Sequence, residues 1–264
     1  MPQRRNILAK KWRTLKQLLR TRDYRELWNA TRTNAWTFSR LYSPDGLRGF
    51  ARLDGCRFSI RDLDPWIRGQ LLDRTYELPE RRALAKHLDP ELPVIELGGC
   101  MGVVSCITNR RLTRPEAHVV VEPNPLAIPL ITHNAKLNGC PFRVVNAAIA
   151  YLGPETTFYP NGITLTNRLD GPAMGPAMVV PNRTLGSLAA EYGFSTFTLI
   201  CDIEGYEYEL LLREPEAVEK ARMVIIETHE RYIGREKNQF VLQQLVKLGL
   251  KTLERFDNVL VMRK

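Results

Sequence analysis

The sequence predicts an α/β protein built on a doubly wound, mostly parallel sheet with helices on both faces. Three observations predict it. From about residue 80, short apolar strand candidates at 94–97, 118–122, 143–149, 197–202 and 223–227 are separated by helix signals. Such alternation buries a parallel sheet between helical layers. The first of these strands runs into a glycine-rich turn, Gly98-Gly99-Cys100-Met101-Gly102, followed by an apolar helical segment. The second ends in an acid, Glu122, twenty residues after Gly102.

The composition suits such a fold. The chain has 264 residues, 44% of them hydrophobic and 25% charged. That is enough apolar material for a core, and it excludes a mainly disordered chain. No apolar run approaches the ~18–20 residues that a spanning helix needs. The first thirty residues lack the apolar centre of a secretory signal. Five cysteines (Cys56, Cys100, Cys106, Cys140, Cys201) form no C-x-x-C pair. An odd number without that spacing argues against a disulfide framework or a structural zinc site, and for a reducing cytoplasm.

The charge is unevenly placed, and the strand–helix alternation begins only at about residue 80. Residues 1–40 carry 11 Lys and Arg against Asp23 and Glu26, hence the whole net charge of +9, and the remainder is neutral. Residues 5–29 read as a basic amphipathic helix, with Leu8, Trp12, Leu15 and Leu19 on one stripe. Two roles suit it: a helix laid on the domain with a solvated basic face, or attachment to an anionic membrane surface. Nucleic acid is the weaker reading, because the body itself is not basic. Residues 50–60 predict a β-hairpin around Asp54-Gly55, a pair that supplies the positive φ angles of a tight turn. Residues 1–79 therefore form an extension, and 80–264 the main domain.

Within that domain, Asn124 is placed to cap a helix starting at Pro125, with Leu126, Leu130 and Leu137 on one face and Gly139 past its end. Phe240, Val241, Leu245 and Leu248 predict a late helix stopped by Gly249, and two strands turning at Asp257-Asn258 close the chain. Residues 151–183 hold four Gly and five Pro without a clear period. A long irregular insertion of this kind suits a lid or substrate loop.

The glycine turn points to a ligand with negative or polar groups near a helix N-terminus. The G-x-G-x-x-G fingerprint of nicotinamide enzymes fails in both registers, because Leu97 breaks one and Cys100 and Val103 break the other. What remains is acidic-x-G-x-x-x-G, from Glu96 through Gly98 to Gly102. A carboxylate at Glu122 can accept both hydroxyls of a ribose. Turn and acid together argue for an adenosine-containing ligand. Asn146, at the end of the third strand beside Ala147, could read an adenine edge or simply form a turn. The candidate cofactor-binding residues are thus Glu96, Gly98, Gly99, Cys100, Gly102, Glu122, Asn146 and Ala147.

The segments ELGGCMG, VVVEPNP, NAAI, VIIETHE and above all Asp202-Ile203-Glu204-Gly205-Tyr206-Glu207 together resemble the FkbM family of S-adenosylmethionine-dependent methyltransferases. The resemblance covers about residues 80–262. It implies a class I Rossmann-like, seven-stranded sheet with a reversed last hairpin, S-adenosyl-L-methionine as cofactor, and O-methylation, commonly of a sugar or polyketide hydroxyl. Ile200 stands where the family commonly has a lysine, so no role passes to that position.

Methyl transfer to a hydroxyl gains from a positioned base. Asp202 and Glu204 follow the fourth strand, and Glu227 and His229 end the next one on the same rim. Asp202 or His229 is expected as the base, with Glu204 positioning the acceptor. Asp202, Glu204, Glu227 and His229 also offer oxygen and imidazole ligands, but no spacing is diagnostic and no metal is assigned. Cys106 and Cys201 sit in apolar segments and are expected in the core, and His133 is read as structural. The Asn-Pro-Pro-aromatic signature of nucleobase amino-methylation is absent after the fourth strand, which weakens a nucleic-acid acceptor. The expected function is O-methylation of a sugar, glycan or other small molecule. The alternatives are a methyltransferase acting on a protein or nucleic acid, and a non-catalytic cofactor-binding scaffold.

Overall fold

The computed structural model describes residues 46, 49–61, 63–159 and 177–264. The basic helix expected over residues 5–29, with its membrane-surface reading, lies outside the described residues. The hairpin is present: β1 (Phe50–Leu53) and β2 (Cys56–Ser59) pair antiparallel across Asp54 and Gly55, both at positive φ. Two helices follow, α1 (Pro65–Asp73) and α2 (Leu78–His87). Asp64 caps α1 by accepting the N–H of Trp66 at 2.7 Å. Arg81 on α2 ties this region together. Its guanidinium donates to both oxygens of Asp54, at 2.8 and 3.0 Å, and to the carbonyls of Arg74 and Tyr76 at 2.9 Å. A bidentate, partly buried pair of this kind is among the stronger polar contacts.

The β/α alternation then runs β3 (Val94–Leu97), α3 (Val103–Asn109), β4 (His118–Val121), α4 (Ile128–Asn138) and β5 (Arg143–Val145). It continues through β6 (Ala148–Ile149), β7 (Glu155–Phe158), β8 (Met178–Arg183) and α5 (Leu185–Glu191) to β9 (Phe197–Cys201). The chain closes with α6 (Glu207–Arg213), α7 (Pro215–Glu219), β10 (Ala221–Glu227), α8 (Glu230–Ile233), α9 (Arg235–Lys247), β11 (Lys251–Phe256) and β12 (Val259–Arg263). Seven strands form the central sheet in the order β11-β12-β10-β9-β3-β4-β5. All run parallel except β12, which lies antiparallel between β10 and β11. This is the class I methyltransferase-like, doubly wound sheet that the sequence predicts, with its reversed last hairpin.

Strand residues alternate between two cores, as the two-residue period of a strand requires. Val94, Val120, Ile200, Ile225 and Val261 pack on one face with α2, α3, α4 and the hairpin. Ile95, Val121, Leu199, Val224 and Leu260 pack on the other with α5, α6, α7 and α9. Ile200 is buried in the first core, which accounts for its apolar character. The hairpin is bound to α4 by polar groups as well. Asn138 Oδ1 accepts the N–H of Arg57 at 2.7 Å and Asn134 Oδ1 that of Ser59 at 3.1 Å, so the outer edge of β2 is capped rather than open.

Three expectations change. The segment 143–149 is not one strand: it breaks at Asn146-Ala147, and β6 leaves for a separate three-stranded sheet with β7 and β8. The described parts of 151–183 are therefore largely strand rather than irregular, since Glu155–Phe158 pairs antiparallel with Met178–Arg183. Finally, α4 begins at Ile128, not Pro125. The Asn124 side chain accepts the N–H of Leu126 at 3.0 Å and closes a turn before the helix. The buried face is consequently Ile131, Asn134 and Ala135, while Leu126 is exposed.

Candidate active site

A cavity of about 590 Å³ opens outside the carboxyl ends of β4, β3, β9 and β10. Open α/β sheets bind ligands there, at the switch in strand order between β3 and β9. Three inter-strand steps give the cavity a span of roughly 14 Å, and its two ends differ in chemistry.

The glycine turn builds the middle. Gly98 has φ +95°, and a Cβ there would stand 1.8 Å from the carbonyl oxygen of Asp202. A Cβ on Gly99 would meet Val120 Cγ1 at 2.6 Å. Gly102 has φ +79° but only ordinary contacts with Ile131, so its backbone angle is what requires glycine. These glycines therefore let the turn press against β9 and β4. Close approach to a ligand is left to Gly98 and Cys100, which line the cavity, whereas Gly99 and Gly102 do not. Cys100, Glu77 and Glu204 are non-glycine residues at positive φ (46°, 46° and 54°), and all three line the cavity. Strained backbone of this kind clusters at functional sites.

At one end stands Glu122. Its Oε2 accepts the N–H of Cys100 and its Oε1 that of Asn124, each at 2.7 Å. A carboxylate offers about four acceptor positions, so each oxygen keeps capacity toward the cavity. Burial pushes the Glu122 carboxyl up to about 7, and the two backbone N–H groups partly oppose this. Ala147 lines this end too. Asn146 does not: its amide donates to the carbonyls of Glu122 and Pro123, at 2.8 and 3.1 Å. It fixes the strand end rather than presenting an edge to a ligand. Glu96 likewise departs from expectation. Its place in β3 turns it under α3, where it accepts from Ser105 Oγ at 2.6 Å and lies 3.1 Å from His118 Nε2.

The other end is crowded with carboxylates: Glu77, Glu80, Asp202, Glu204 and Glu227 all line it. Burial, with Glu227, Glu77 and Glu204 adding their charge, pushes Asp202 well above the usual carboxylate range. Burial raises Glu204 also. Beneath them lies His229, 2% exposed. Its Nδ1 is 2.9 Å from Glu207 Oε1, and its Nε2 is 3.4–3.5 Å from Glu227, Asp202 and Glu204. Burial disfavours its charge, but the hydrogen bonds of Glu207 and Glu227 outweigh it and raise the imidazole to about 11. His229 is thereby held toward its protonated form, with both ring nitrogens facing carboxylates. It does not line the cavity and acts as a fixed positive charge under Asp202 and Glu204. Glu227 is held below its ordinary value: burial would raise it, but the charge and hydrogen bond of His229 and the hydrogen bonds of Glu80 and Asn258 outweigh that.

Glu207 was not among the expected site residues, although it ends the Asp202–Glu207 motif. Its Oε1 accepts the N–H groups of Ile203 and Gly205, each at 3.3 Å, besides facing His229. It holds the loop that presents Asp202 and Glu204. Glu77 and Glu80 were also missed, since they lie on the extension and α2, far in sequence from the motif. Tyr206 lines the cavity and stacks on Tyr151 at 6.3 Å between centroids. The arrangement can accept a pair of hydroxyls at the Glu122 end and take up a proton at Asp202.

No protein-family model matches the sequence, and no curated protein matches it. Similar solved structures include a putative O-methyltransferase from Klebsiella pneumoniae, 14% identical over 71% of this chain and 80% of that one, with a TM-score of 0.42. Precorrin-6y C5,15-methyltransferase from Geobacter metallireducens is 13% identical over 69% and 84%, with a TM-score of 0.40. Fibrillarin from Aeropyrum pernix, solved with natively bound S-adenosyl-L-methionine, is 11% identical over 71% and 73%, with a TM-score of 0.39. The likeness is distant, and the assignment of the fold rests on the strand order above.

Proposed function

We propose that the chain is an S-adenosylmethionine-dependent O-methyltransferase acting on a hydroxyl of a sugar, glycan or other small molecule. The observation that carries this reading is Glu122: a buried carboxylate beside the glycine turn, oriented by two backbone N–H groups, with acceptor capacity left toward the cavity. That geometry fits the two hydroxyls of a ribose, and Gly98, Cys100 and Ala147 supply the adjoining wall. The likeness of the Asp202–Glu207 motif to the FkbM family points the same way. In this reading residues 80–264 hold the cofactor, and within the 1–79 extension Trp66, Ile67, Gln70, Tyr76 and Glu77 add a wall on the acceptor side.

When bound, the cofactor supplies a methyl group on a sulfonium. The chain's residues do the rest. Asp202, with its raised proton affinity, takes the proton of the acceptor hydroxyl as the new oxygen–carbon bond forms. Glu204 orients the acceptor, while the His229 charge below keeps both carboxylates in place. Tyr206 and Tyr232 wall the space and exclude water. A cytoplasmic site of action accords with the five free cysteines. Among the described residues no helix is long and apolar enough to cross a membrane. Contact of residues 5–29 with an anionic membrane belongs to the same proposal, on the strength of their charge, and vesicle sedimentation of the full chain tests it.

Calorimetric titration with S-adenosylhomocysteine, with NAD as control, tests the central reading. Saturable binding of the first alone is expected. Its failure in a folded sample overturns the proposal.

A further inference from the structure

Trp66 stands at the outer rim of the cavity, lining it and yet 63% exposed. We infer that Trp66 is the platform that selects the acceptor: its indole stacks on a second ring, beyond the one bearing the reacting hydroxyl. The acceptor is then a saccharide of two or more rings and not a free monosaccharide. This deepens the methyltransferase reading and rests on it.

The chain holds the indole in place. Trp66 is the second residue of α1, and its N–H is bound by the Asp64 side chain at 2.7 Å. Leu63 and Ile67, on either side, are buried in the first core. Helix start and core together set the position of residue 66 over the opening. An exposed apolar side chain by itself means little. This one is held at the mouth of a cavity of about 590 Å³. An indole there offers a broad apolar face and gives up little conformational freedom on contact.

Two other rings of the wall are already engaged. Tyr232 has the His229 ring stacked 5.6 Å away and the Arg231 guanidinium 4.4 Å from its centroid. Tyr206 stacks on Tyr151. Among the described residues no ring or cation lies against Trp66 in this way.

Gln70 indicates what stacks there. It lies one turn after Trp66 and lines the same cavity. Its backbone carbonyl accepts the N–H groups of Thr75 and Tyr76, at 2.9 and 3.3 Å. Its side-chain amide has no hydrogen-bond partner among the described residues. An amide both donates and accepts. A flat apolar face beside such a group matches a saccharide ring, which has a C–H face and a rim of hydroxyls. A planar phenolic ring would cover the indole but leave the amide unanswered. The depth of the cavity then separates two rings. Asp202 and Glu204, which meet the reacting hydroxyl in the reading above, are only partly exposed, whereas Trp66 is mostly so. A ring seated at Asp202 leaves the indole for the next ring outward.

The test presents the full chain, with and without S-adenosylhomocysteine, to a panel of immobilised mono-, di- and trisaccharides, and measures the bound ones by calorimetry. Saccharides of two or three rings should bind, and the matching single rings about tenfold more weakly. Trp66→Ala should weaken the longer ligands about tenfold while leaving the affinities for single rings and for S-adenosylhomocysteine unchanged. Trp66→Phe should recover part of that loss, and Gln70→Ala should show a smaller loss of the same kind. Equal affinity for one ring and two, longer ligands that ignore Trp66→Ala, or no saccharide bound at all overturns the inference. Catechol bound more tightly than any saccharide, and lost in Trp66→Ala, overturns it in favour of a planar acceptor. The cofactor measurement keeps the two proposals apart. Saccharide binding that depends on Trp66 in a chain that does not bind S-adenosylhomocysteine leaves the platform standing and removes its methyltransferase role. S-adenosylhomocysteine binding without that dependence removes the platform alone.

Discussion

The carbonyl oxygen of Asp202 occupies the place where a Cβ of residue 98 would stand, 1.8 Å from that position. The turn after β3 and the end of β9 are thereby locked at contact distance, so the residue read as the base is aligned by the glycine turn itself. Gly98→Ala should destabilise the fold by about 2–4 kcal/mol, combining overpacking against backbone with an unfavourable φ. Gly102→Ala, which meets only the φ penalty, should cost about 1 kcal/mol. Urea unfolding of both variants checks the difference, and equal losses would mean that φ alone governs the turn.

Glu122 carries two linked expectations. Its folded proton affinity lies near 7, above the ordinary 4.5 of a glutamate. The folded state therefore holds a proton that the unfolded chain has released, and stability falls as pH rises from about 4.5 to 7. The contribution lost is about 3 kcal/mol at most. Glu122→Gln should flatten that part of the pH–stability curve. Ionised Glu122 is also the form that accepts two hydroxyls, so affinity for S-adenosylhomocysteine should rise through pH 7 in the wild type. Glu122→Ala should weaken it at least tenfold, the range expected for charged hydrogen bonds.

His229 should remain an imidazolium at pH 8, visible in its ring nitrogen chemical shifts. A raised affinity of this kind contributes stability that is complete below about 6.5 and lost as pH rises through about 11. His229→Gln leaves the buried Glu207 without its cation and should cost about 3 kcal/mol near neutrality. A neutral ring at pH 8 would return His229 to candidacy as the base.

Asp202→Asn should lower turnover far more than cofactor affinity. Measuring kcat beside the dissociation constant of S-adenosylhomocysteine decides the matter, and the reverse pattern would make Asp202 a binding residue.

Much of this was legible in the sequence, for local reasons. Asp54-Gly55, Gly139 and Asp257-Asn258 mark ends of elements because each supplies a backbone angle that few residues accept. Asp202 and Glu122 reach the rim because the strands that precede them are wholly buried. The illegible part depends on packing across the sheet. Glu96 sits in a strand buried on both faces, so its period of two does not say which neighbour it will meet. His229 reads as a polar residue at a strand end, yet Glu207, 22 positions away, draws it inward. Glu77 and Glu80 join the site only because α2 is folded back over β10, a placement no local pattern encodes.

Arg81 joins the hairpin turn at Asp54 to the carbonyl of Tyr76, the residue just before Glu77. The wall facing Asp202 is thus anchored in chain that precedes the first β/α unit, whereas Glu122 and the glycine turn belong to that unit. Two parts of one cavity then answer to different stretches of sequence. A change in the hairpin or its two helices would alter what is admitted opposite Asp202, while the Glu122 end is fixed by the geometry of the sheet. Diversification within this architecture should accordingly be sought upstream of β3.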